Sequence, residues 1–316
     1  MTLPSSPLLK APQRVWLVHH QSTDPEGAIT ARTQGLLKGF GVDVTTIEVS
    51  GRDCPVLPIN GNLTPDLVMV IGGDGTVLRT LQSLTQQNRH SAELPVPLLA
   101  INAGKLGFLT RVEGQTLEPA ITQLIAGKAF LDYRSLLTVS QGEASPANQQ
   151  KTQVALNDVV LKHINPSQMT TLQVRVGEGS HQSLIATYDA DGVIIATPSG
   201  STAYTLSAGG PVVAPMVDAT VLTPICPHSW NAKPIVLPAE EILTITPLLT
   251  RSSGTGGVMI SIDGQEWGLL EKGESVTVTK ANFSQPLVSL EPPDTAFYRV
   301  LKEKLHWGLN PRVTPQ

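Results

Sequence analysis

Aromatic and charged side chains are scarce in this sequence of 316 residues, at 4% and 15% of the chain, and the formal net charge is only -4. So small and slightly negative a net charge gives no indication of broad electrostatic affinity for nucleic acid, so we expect no polyanion partner. Hydrophobic residues make up 41% of the chain, which excludes intrinsic disorder. The length suits two globular domains, each large enough to bury a core of its own.

Cysteine is nearly absent, since only Cys54 and Cys226 occur. Two thiols without a hydrophobic signal segment ahead of them indicate a reduced protein of the cytoplasm and not a disulfide scaffold. The apolar runs are too short to cross a membrane. We therefore expect a cytoplasmic protein that binds neither nucleic acid nor a membrane.

The first part of the chain alternates strand and helix patterns. The apolar run Val15–Val18 predicts a buried strand, and a helix capped by Asp24 is predicted after it. Further strands are predicted from Val42 and at Leu67–Ile71. Strand, helix, strand, loop, strand is typical of a parallel α/β sheet, which we expect within residues 1–130.

After about residue 130 the pattern changes to short β-prone runs separated by glycine, serine, asparagine and proline. We therefore expect a mainly β second domain over residues 131–290, with a polar hairpin tip at QGEASPANQQ. Near the end of the chain the candidate cap Asp294 precedes a predicted helix. One face of that helix is apolar and needs a surface to pack against, since it carries Phe297, Val300, Leu301 and Leu305.

The segment VIGGDGTVLRTL joins a predicted buried strand to a helix through a glycine-rich turn. Glycines let backbone amides approach a phosphate closely, and the positive end of the helix dipole adds to the attraction. Asp74 is the only acid in the turn, and a carboxylate beside a phosphate is unfavourable unless it contacts a metal ion or the proton of a reacting hydroxyl. We interpret Asp74 as catalytic; the alternative is an ordinary helix cap. The predicted phosphate-binding residues are Gly72, Gly73, Gly75, Thr76 and Arg79.

Four blocks of sequence, in this order, resemble the NAD kinase family: GGDGT, INAGKLGFLT, ALNDVVL and DGVIIATPSGSTAYTLSAGGPVVAP. GGDGT alone also resembles the phosphate-binding motif of diacylglycerol and sphingosine kinases and, more distantly, of phosphofructokinases. The other three blocks favour NAD kinases, and together the four span most of the chain.

The resemblance implies transfer of the γ-phosphoryl group of ATP to the 2′-hydroxyl of the adenosine ribose of NAD, which gives NADP and ADP. It implies an α/β domain and a β-rich domain with NAD in the cleft between them, and a last helix, within residues 291–316, that returns to the first domain. It also implies a homodimer or homotetramer. The expected metal is Mg²⁺ held mainly by the nucleotide phosphates, because no group of His, Cys and acidic residues has zinc-ligand spacing.

Asn157 and Asp158 are the candidate ribose-binding residues. The asparagine amide suits a base or ribose edge, and the carboxylate can accept hydrogen bonds from two neighbouring hydroxyls. On the dipeptide alone a simple turn between strands is favoured, and it is the resemblance that favours a ribose site. The family usually has glutamate where this chain has Asp158, so the resemblance implies ribose contact more firmly for Asn157.

The stretch TPSGSTAY supplies the other candidate contacts to NAD. Its small residues allow close approach of a ligand, and Thr202, Ala203 and Tyr204 offer a hydroxyl, a small contact and an aromatic ring that suit adenine. The alternative is a solvent-exposed turn. The resemblance adds contacts near the nicotinamide half of NAD, from Asp189, Asp191 and Ser207.

Later matches to the family are weaker. His228 is only a candidate, because an isolated histidine in a loop is usually packed or solvated. Asp263, Gly264 and Gln265 resemble a family turn near the dinucleotide, although by their physical chemistry they form a simple hairpin turn.

Two other functions fit parts of the sequence. A lipid kinase could use the same GGDGT loop, but TPSGSTAY and the lack of a basic amphipathic segment weigh against it. A dinucleotide sensor that has lost catalysis is the second alternative, and retention of Asp74 weighs against that.

Overall fold

The computed structural model describes residues 7–51, 57, 64–87, 95–104, 107–142, 151–250 and 257–308. The chain divides into two compact units, one made of Met1–Tyr133 with Gln285–Gln316 and the other of Arg134–Ser284. The second unit is therefore inserted into the first. The predicted fold class, an α/β domain followed by a mainly β domain with a C-terminal helix, is confirmed.

Helices and strands are numbered in chain order over the described residues. The α-helices are α1 (Ala28–Gly39), α2 (Asp74–Gln87), α3 (Leu117–Ile125), α4 (Tyr204–Ser207) and α5 (Pro293–Leu305). The strands are β1 (Arg14–His20), β2 (Asp43–Val49), β3 (Leu67–Gly72), β4 (Leu98–Asn102), β5 (Val112–Glu113), β6 (Phe130–Gln141), β7 (Lys151–Ala155), β8 (Asp158–His163), β9 (Thr170–Val176), β10 (Ser183–Ala190), β11 (Gly192–Ala196), β12 (Ala219–Ile225), β13 (Ile235–Pro238), β14 (Leu243–Thr250), β15 (Val258–Ile262), β16 (Gln265–Leu270) and β17 (Val276–Ser289).

The first unit contains a parallel sheet in the order β4-β3-β1-β2. Every residue of β3 and β4 is buried, as the continuous apolar runs predict for strands covered on both faces. The end of β17 joins this sheet, where Leu287 pairs in parallel with Leu98 of β4. Helix α5 buries Phe297, Val300 and Leu301, so its apolar face packs within the first unit.

Helix α1 begins later than its predicted cap. Asp24 and the residues after it first form a turn, and the residue that precedes the helix is Gly27, in the left-handed conformation with φ of 63°. Asp24 still satisfies the free amides of the first turn, because its carboxylate accepts hydrogen bonds from the backbone N–H groups of Ile29 and Thr30 at 3.2 and 2.9 Å.

The second unit contains two antiparallel arrangements. One has the order β10-β9-β14-β17, and the other is a six-stranded sheet in the order β13-β12-β11-β8-β15-β16. They share one core, since Leu172 and Ile245 from the first lie in the same buried cluster as Leu161, Ile195 and Ile260 from the second. Leu156 and Asn157 separate β7 from β8, so the ALNDVVL block is not a single strand.

Most of the predicted hairpin tip, residues 143–150, lies outside the described residues. No helix in the described part of the chain is both long and apolar enough to span a membrane.

Candidate active site

Asp74 lies at the start of α2, directly after the glycine turn that follows β3. Its carboxylate accepts three hydrogen bonds from consecutive backbone N–H groups, those of Phe108 at 2.9 Å and of Leu109 and Thr110 at 3.2 Å each. Three amide donors fix the orientation of the carboxylate. These hydrogen bonds join Asp74 to the INAGKLGFLT block. Lys105 and Leu106 of that block lie outside the described residues.

Gly107 is what allows this close approach. A Cβ atom at Gly107 would overlap the Asp74 carboxylate and would lie 2.5 Å from the Thr110 hydroxyl oxygen. The N–H of Gly107 donates to that hydroxyl oxygen at 2.9 Å, which holds the loop in its turn. Sequence reasoning gave Gly107 no role; its only signal was a glycine within a block that resembles the family.

The predicted phosphate-binding residues surround the same turn. A Cβ at Gly73 would meet no atom within 4 Å, so the backbone there is open to a ligand. Thr76 is buried against Gly72, and its N–H donates to the carbonyl oxygen of Gly73 at 2.9 Å. Among the described residues, the buried Nε of Arg79 has no hydrogen-bond partner. The structure therefore brings the glycines, Thr76 and Arg79 together at one end of α2.

In the second unit, Asp263 binds consecutive backbone amides in the same way as Asp74 does in the first. Its carboxylate accepts hydrogen bonds from three consecutive backbone N–H groups, those of Leu156 at 2.9 Å, Asn157 at 2.7 Å and Asp158 at 3.1 Å. The N–H of Asp263 in turn donates to the carbonyl oxygen of Asp158 at 3.0 Å. One residue of the hairpin between β15 and β16 is thus hydrogen-bonded to the turn between β7 and β8 from both its backbone and its side chain.

Asp158 and Asp263 are both buried, with 5% and 7% of their surface exposed. Burial, and then the charge of Asp263, raises the pKa of Asp158 to about 7. Burial also raises the pKa of Asp263, to about 6, although its three amide hydrogen bonds act in the opposite direction. Because those bonds stabilise the charged form, Asp263 holds the negative charge and Asp158 takes up a proton first as the pH falls.

The TPSGSTAY stretch lies directly against Asn157. The N–H of Thr197 donates to the Asn157 carbonyl oxygen at 2.9 Å, and the Thr197 hydroxyl donates to the Leu156 carbonyl oxygen at 2.5 Å. A Cβ at Gly200 would overlap the Asn157 carbonyl oxygen, so only glycine allows the two turns to pack this closely. The buried Arg134 donates to the Ser199 hydroxyl oxygen at 2.9 Å from the other side. Sequence reasoning missed Thr197 and Arg134 as supports of this turn.

Tyr204 presents its ring to solvent, with 38% of its surface exposed. The ammonium group of Lys162 lies 6.0 Å from the centre of the ring and 3.5 Å from its hydroxyl oxygen. Thr202 and Ala203 precede it and are half-buried, while Ser207 is exposed three residues further on. An exposed ring beside a half-buried hydroxyl can accept a planar base by stacking.

The remaining predicted contacts lie at the end of β10. The Asp189 carboxylate accepts a hydrogen bond from the Thr171 hydroxyl at 2.5 Å, and its carbonyl oxygen accepts one from the N–H of His228 at 2.8 Å. His228 therefore approaches Asp189 through its backbone, and its side chain is exposed. Asp191 is half-buried, and its N–H donates to the Ile225 carbonyl oxygen at 3.0 Å.

Comparison with known proteins identifies the family. The model of the ATP-NAD kinase N-terminal domain matches residues 49–129, and that of the ATP-NAD kinase C-terminal domain matches residues 156–290. The chain is 37% identical over 243 residues to the NAD kinase of Heliobacterium modesticaldum, covering 77% of this chain and 79% of that one. It is 41% identical over 242 residues to the NAD kinase of Symbiobacterium thermophilum, covering 76% of this chain and 78% of that one.

A solved structure shows the same fold. The crystal structure of yeast NADH kinase complexed with NADH superposes with a TM-score of 0.80 and covers 100% of this chain and 95% of that one, at 24% sequence identity. With matches to both domain models and to relatives of this identity over most of its length, the chain belongs to the NAD kinase family.

Proposed function

We propose that this protein transfers the γ-phosphoryl group of ATP to the 2′-hydroxyl of the adenosine ribose of NAD, giving NADP and ADP. The observation that carries the proposal is the Asp74 carboxylate, which three backbone amides hold in place at the end of an open glycine turn. A fixed carboxylate beside a phosphate-binding turn is what a phosphoryl-transfer site requires.

The glycine turn is the proposed phosphate-binding element. The backbone is unobstructed at Gly73, between Gly72 and the start of α2, and the helix adds a positive dipole there. Gly75 lies in the first turn of α2. Arg79 lies about one turn further along α2 and would supply a positive charge, and among the described residues its buried Nε has no hydrogen-bond partner. Thr76 is buried, and its side chain packs against Gly72 and so stabilises the turn.

Asp74 is the proposed catalytic residue. A carboxylate offers about four acceptor positions on its two oxygens, and three are used by the amides of residues 108–110. The remaining position can accept the hydrogen of the ribose 2′-hydroxyl, which would orient or deprotonate the nucleophile. Because phosphoryl transfer depends mainly on position and electrostatics, a weakly basic aspartate is sufficient.

The second unit is the proposed NAD-binding part. Asn157 and Asp158 would hold the ribose, and Thr202, Ala203 and Tyr204 the adenine. The support is that the turns carrying these two groups are hydrogen-bonded to each other through Thr197. The residues proposed to lie near the nicotinamide half are Asp189, Asp191 and Ser207.

Mg²⁺ is the proposed metal, held mainly by the phosphates of ATP. The glycine turn fits that arrangement, because the backbone at Gly73 is open to the phosphate oxygens that would carry the ion. Asp74 is the one carboxylate of the turn able to contribute a ligand. When bound, the ion would neutralise charge on the transferring phosphoryl group.

The protein is proposed to act in the cytoplasm as a homodimer or homotetramer. The exposed Cys226 carries a free thiol, which fits a reducing compartment.

The test is an assay with ATP, NAD and Mg²⁺ that measures NADP, using the parent protein and Asp74→Asn. We expect the asparagine variant to lose about 10² to 10⁴ in kcat, because it cannot accept the hydroxyl proton. Asp66→Asn is the control, since Asp66 also binds two backbone N–H groups, at 2.8 Å each, in the same unit. Its kcat should stay close to that of the parent.

Three outcomes would contradict the proposal. A kcat for Asp74→Asn within a few-fold of the parent would leave Asp74 as a helix cap. NAD binding without NADP formation in the parent would indicate a sensor. Phosphorylation of a lipid in place of NAD would indicate a lipid kinase.

A further inference from the structure

We propose that Asp263 is a positioning residue for NAD, which sets the backbone of Asn157 and Asp158 so that their side chains can hold the ribose. This inference rests on the proposed function and deepens it, because it names a residue that acts on the dinucleotide site through its neighbours. Asp263 itself need not touch NAD.

Three consecutive backbone amides converge on the Asp263 carboxylate. The N–H groups of Leu156, Asn157 and Asp158 all point to the Asp263 side chain, at 2.9, 2.7 and 3.1 Å. Successive amides that converge on one acceptor form a concave nest of the kind that binds anions. The conformation of the turn between β7 and β8 therefore depends on the negative group at its centre.

Asp263 is itself held in place beside the turn by its neighbours in the hairpin between β15 and β16. It follows β15 directly, and β15 pairs with β8 so that Ile262 lies opposite Val159. Its own backbone has φ of 49°, a left-handed conformation that aspartate tolerates better than most residues. A hydrogen bond of 3.0 Å from its N–H to the Asp158 carbonyl oxygen closes the contact from the other side. The carboxylate thus has a fixed position from which to orient the turn.

The turn that Asp263 holds also contacts the proposed adenine-binding stretch. The Asn157 carbonyl oxygen accepts from the N–H of Thr197 at 2.9 Å and faces Gly200 with no room for a Cβ atom. A shift of the Asn157 backbone would therefore displace the residues that lead to Thr202 and Tyr204. Both proposed groups of NAD contacts depend on Asp263 in this way.

The experiment measures steady-state kinetics and NAD affinity for Asp263→Asn. Asparagine also tolerates the left-handed conformation and has nearly the same shape, but one carboxylate oxygen becomes an amide NH₂ that cannot accept an N–H bond. We expect KM for NAD and its Kd by calorimetry to rise about tenfold or more, as for loss of a hydrogen bond to a charged group. We expect kcat and KM for ATP to change by less than about threefold, since the site of Asp74 is untouched.

Asp24→Asn is the matched control. Asp24 is 5% exposed and its carboxylate also accepts from two consecutive backbone N–H groups, but it caps α1 in the first unit. Its replacement should lower the melting temperature and leave KM for NAD unchanged. A loss of stability alone therefore cannot produce the expected result for Asp263.

Two results would overturn the inference: normal NAD affinity in folded Asp263→Asn, or a fall in kcat without a change in KM. Should Asp263→Asn not fold, Asp263→Ser keeps one hydroxyl acceptor in the nest and is judged by the same KM and Kd. Failure of the proposed function would show separately, as absence of NADP formation by the parent protein, whereas the calorimetric comparison needs no turnover.

Discussion

Replacing Asp158 with asparagine should make the protein more stable at pH 8 and at the same time weaken its binding of NAD. The parent carboxyl is buried beside Asp263, and its pKa is raised from 3.8 to about 7. The folded state therefore binds this proton more tightly than the unfolded state does. Between about pH 4 and pH 7 the contribution of Asp158 to stability falls as the pH rises, and above pH 7 the full penalty of a buried charge is present.

The size of the gain follows from the shift in pKa. The change from 3.8 to about 7 is roughly three units, and each unit corresponds to about 1.4 kcal/mol. We expect Asp158→Asn to raise the free energy of unfolding at pH 8 by about 1 to 4 kcal/mol, because asparagine has no charge to bury. For a unit of this size each kcal/mol corresponds to about 2–4 °C in melting temperature.

The assay is chemical denaturation of the parent and of Asp158→Asn at pH 8 and at pH 5. The gain should shrink at pH 5, where the parent is mostly protonated at Asp158. Asp24→Asn is the contrast: although burial raises the pKa of Asp24, hydrogen bonds from Thr30 and Ile29 bring it below its ordinary value. Asp24→Asn should therefore destabilise the protein at pH 8.

Steady-state kinetics at pH 8 test the expected effect of Asp158→Asn on NAD binding. Loss of charge-assisted hydrogen bonds to the ribose hydroxyls should raise KM for NAD by about tenfold or more and change kcat less. An Asp158→Asn protein that is no more stable than the parent at pH 8 would refute the reasoning about burial. Normal KM would show that the short aspartate side chain does not reach the ribose.

Three further predictions test other parts of the molecule. Gly107→Ala should lower kcat about as strongly as Asp74→Asn, because the added methyl group overlaps the Asp74 carboxylate. Gly104→Ala should keep the kcat of the parent, because a Cβ atom there meets no atom within 4 Å. Equal kcat values for the two alanine variants would contradict this. Deleting the chain from Asp294 onward should lower the melting temperature and solubility, since burial of each large apolar side chain of α5 contributes about 1.5 to 3 kcal/mol, and an unchanged melting temperature would contradict it. The carboxylate of Asp189 should favour the cationic nicotinamide of NAD over NADH; equal kcat/KM for the two would contradict that.

The elements of the first unit could be predicted well because their signals are local. Val15–Val18 and Leu67–Ile71 are continuous apolar runs, and both are buried parallel strands in the structure. The start of α1 was predicted too early, because the sequence does not show that Asp24 reaches forward across a turn to cap the helix. In the second unit, the dipeptide Asn157–Asp158 alone favoured a turn between strands, and the break between β7 and β8 does lie there, at Leu156 and Asn157.

The candidate site was predictable only as far as its motifs. GGDGT places Asp74 at the start of a helix, as observed. That its carboxylate binds the amides of residues 108–110, 34 to 36 positions later, depends on tertiary folding and has no local signal. The same holds for Asp263, which appeared as a hairpin turn and lies 105 to 107 positions from the amides that it binds.

The insertion of the second unit into the first affects the order in which the protein can fold during synthesis. The core of the first unit includes Val288, and its last helix buries Phe297, so that core cannot close until the end of the chain is made. All of Arg134–Ser284 is available earlier, and the second unit can complete its own core first. We therefore expect the second unit to fold before the first, opposite to the usual order in which the N-terminal domain folds first. During that interval the apolar side chains of β1, β3 and β4 are not yet covered by the rest of their core. We therefore expect aggregation during synthesis to begin from the first unit.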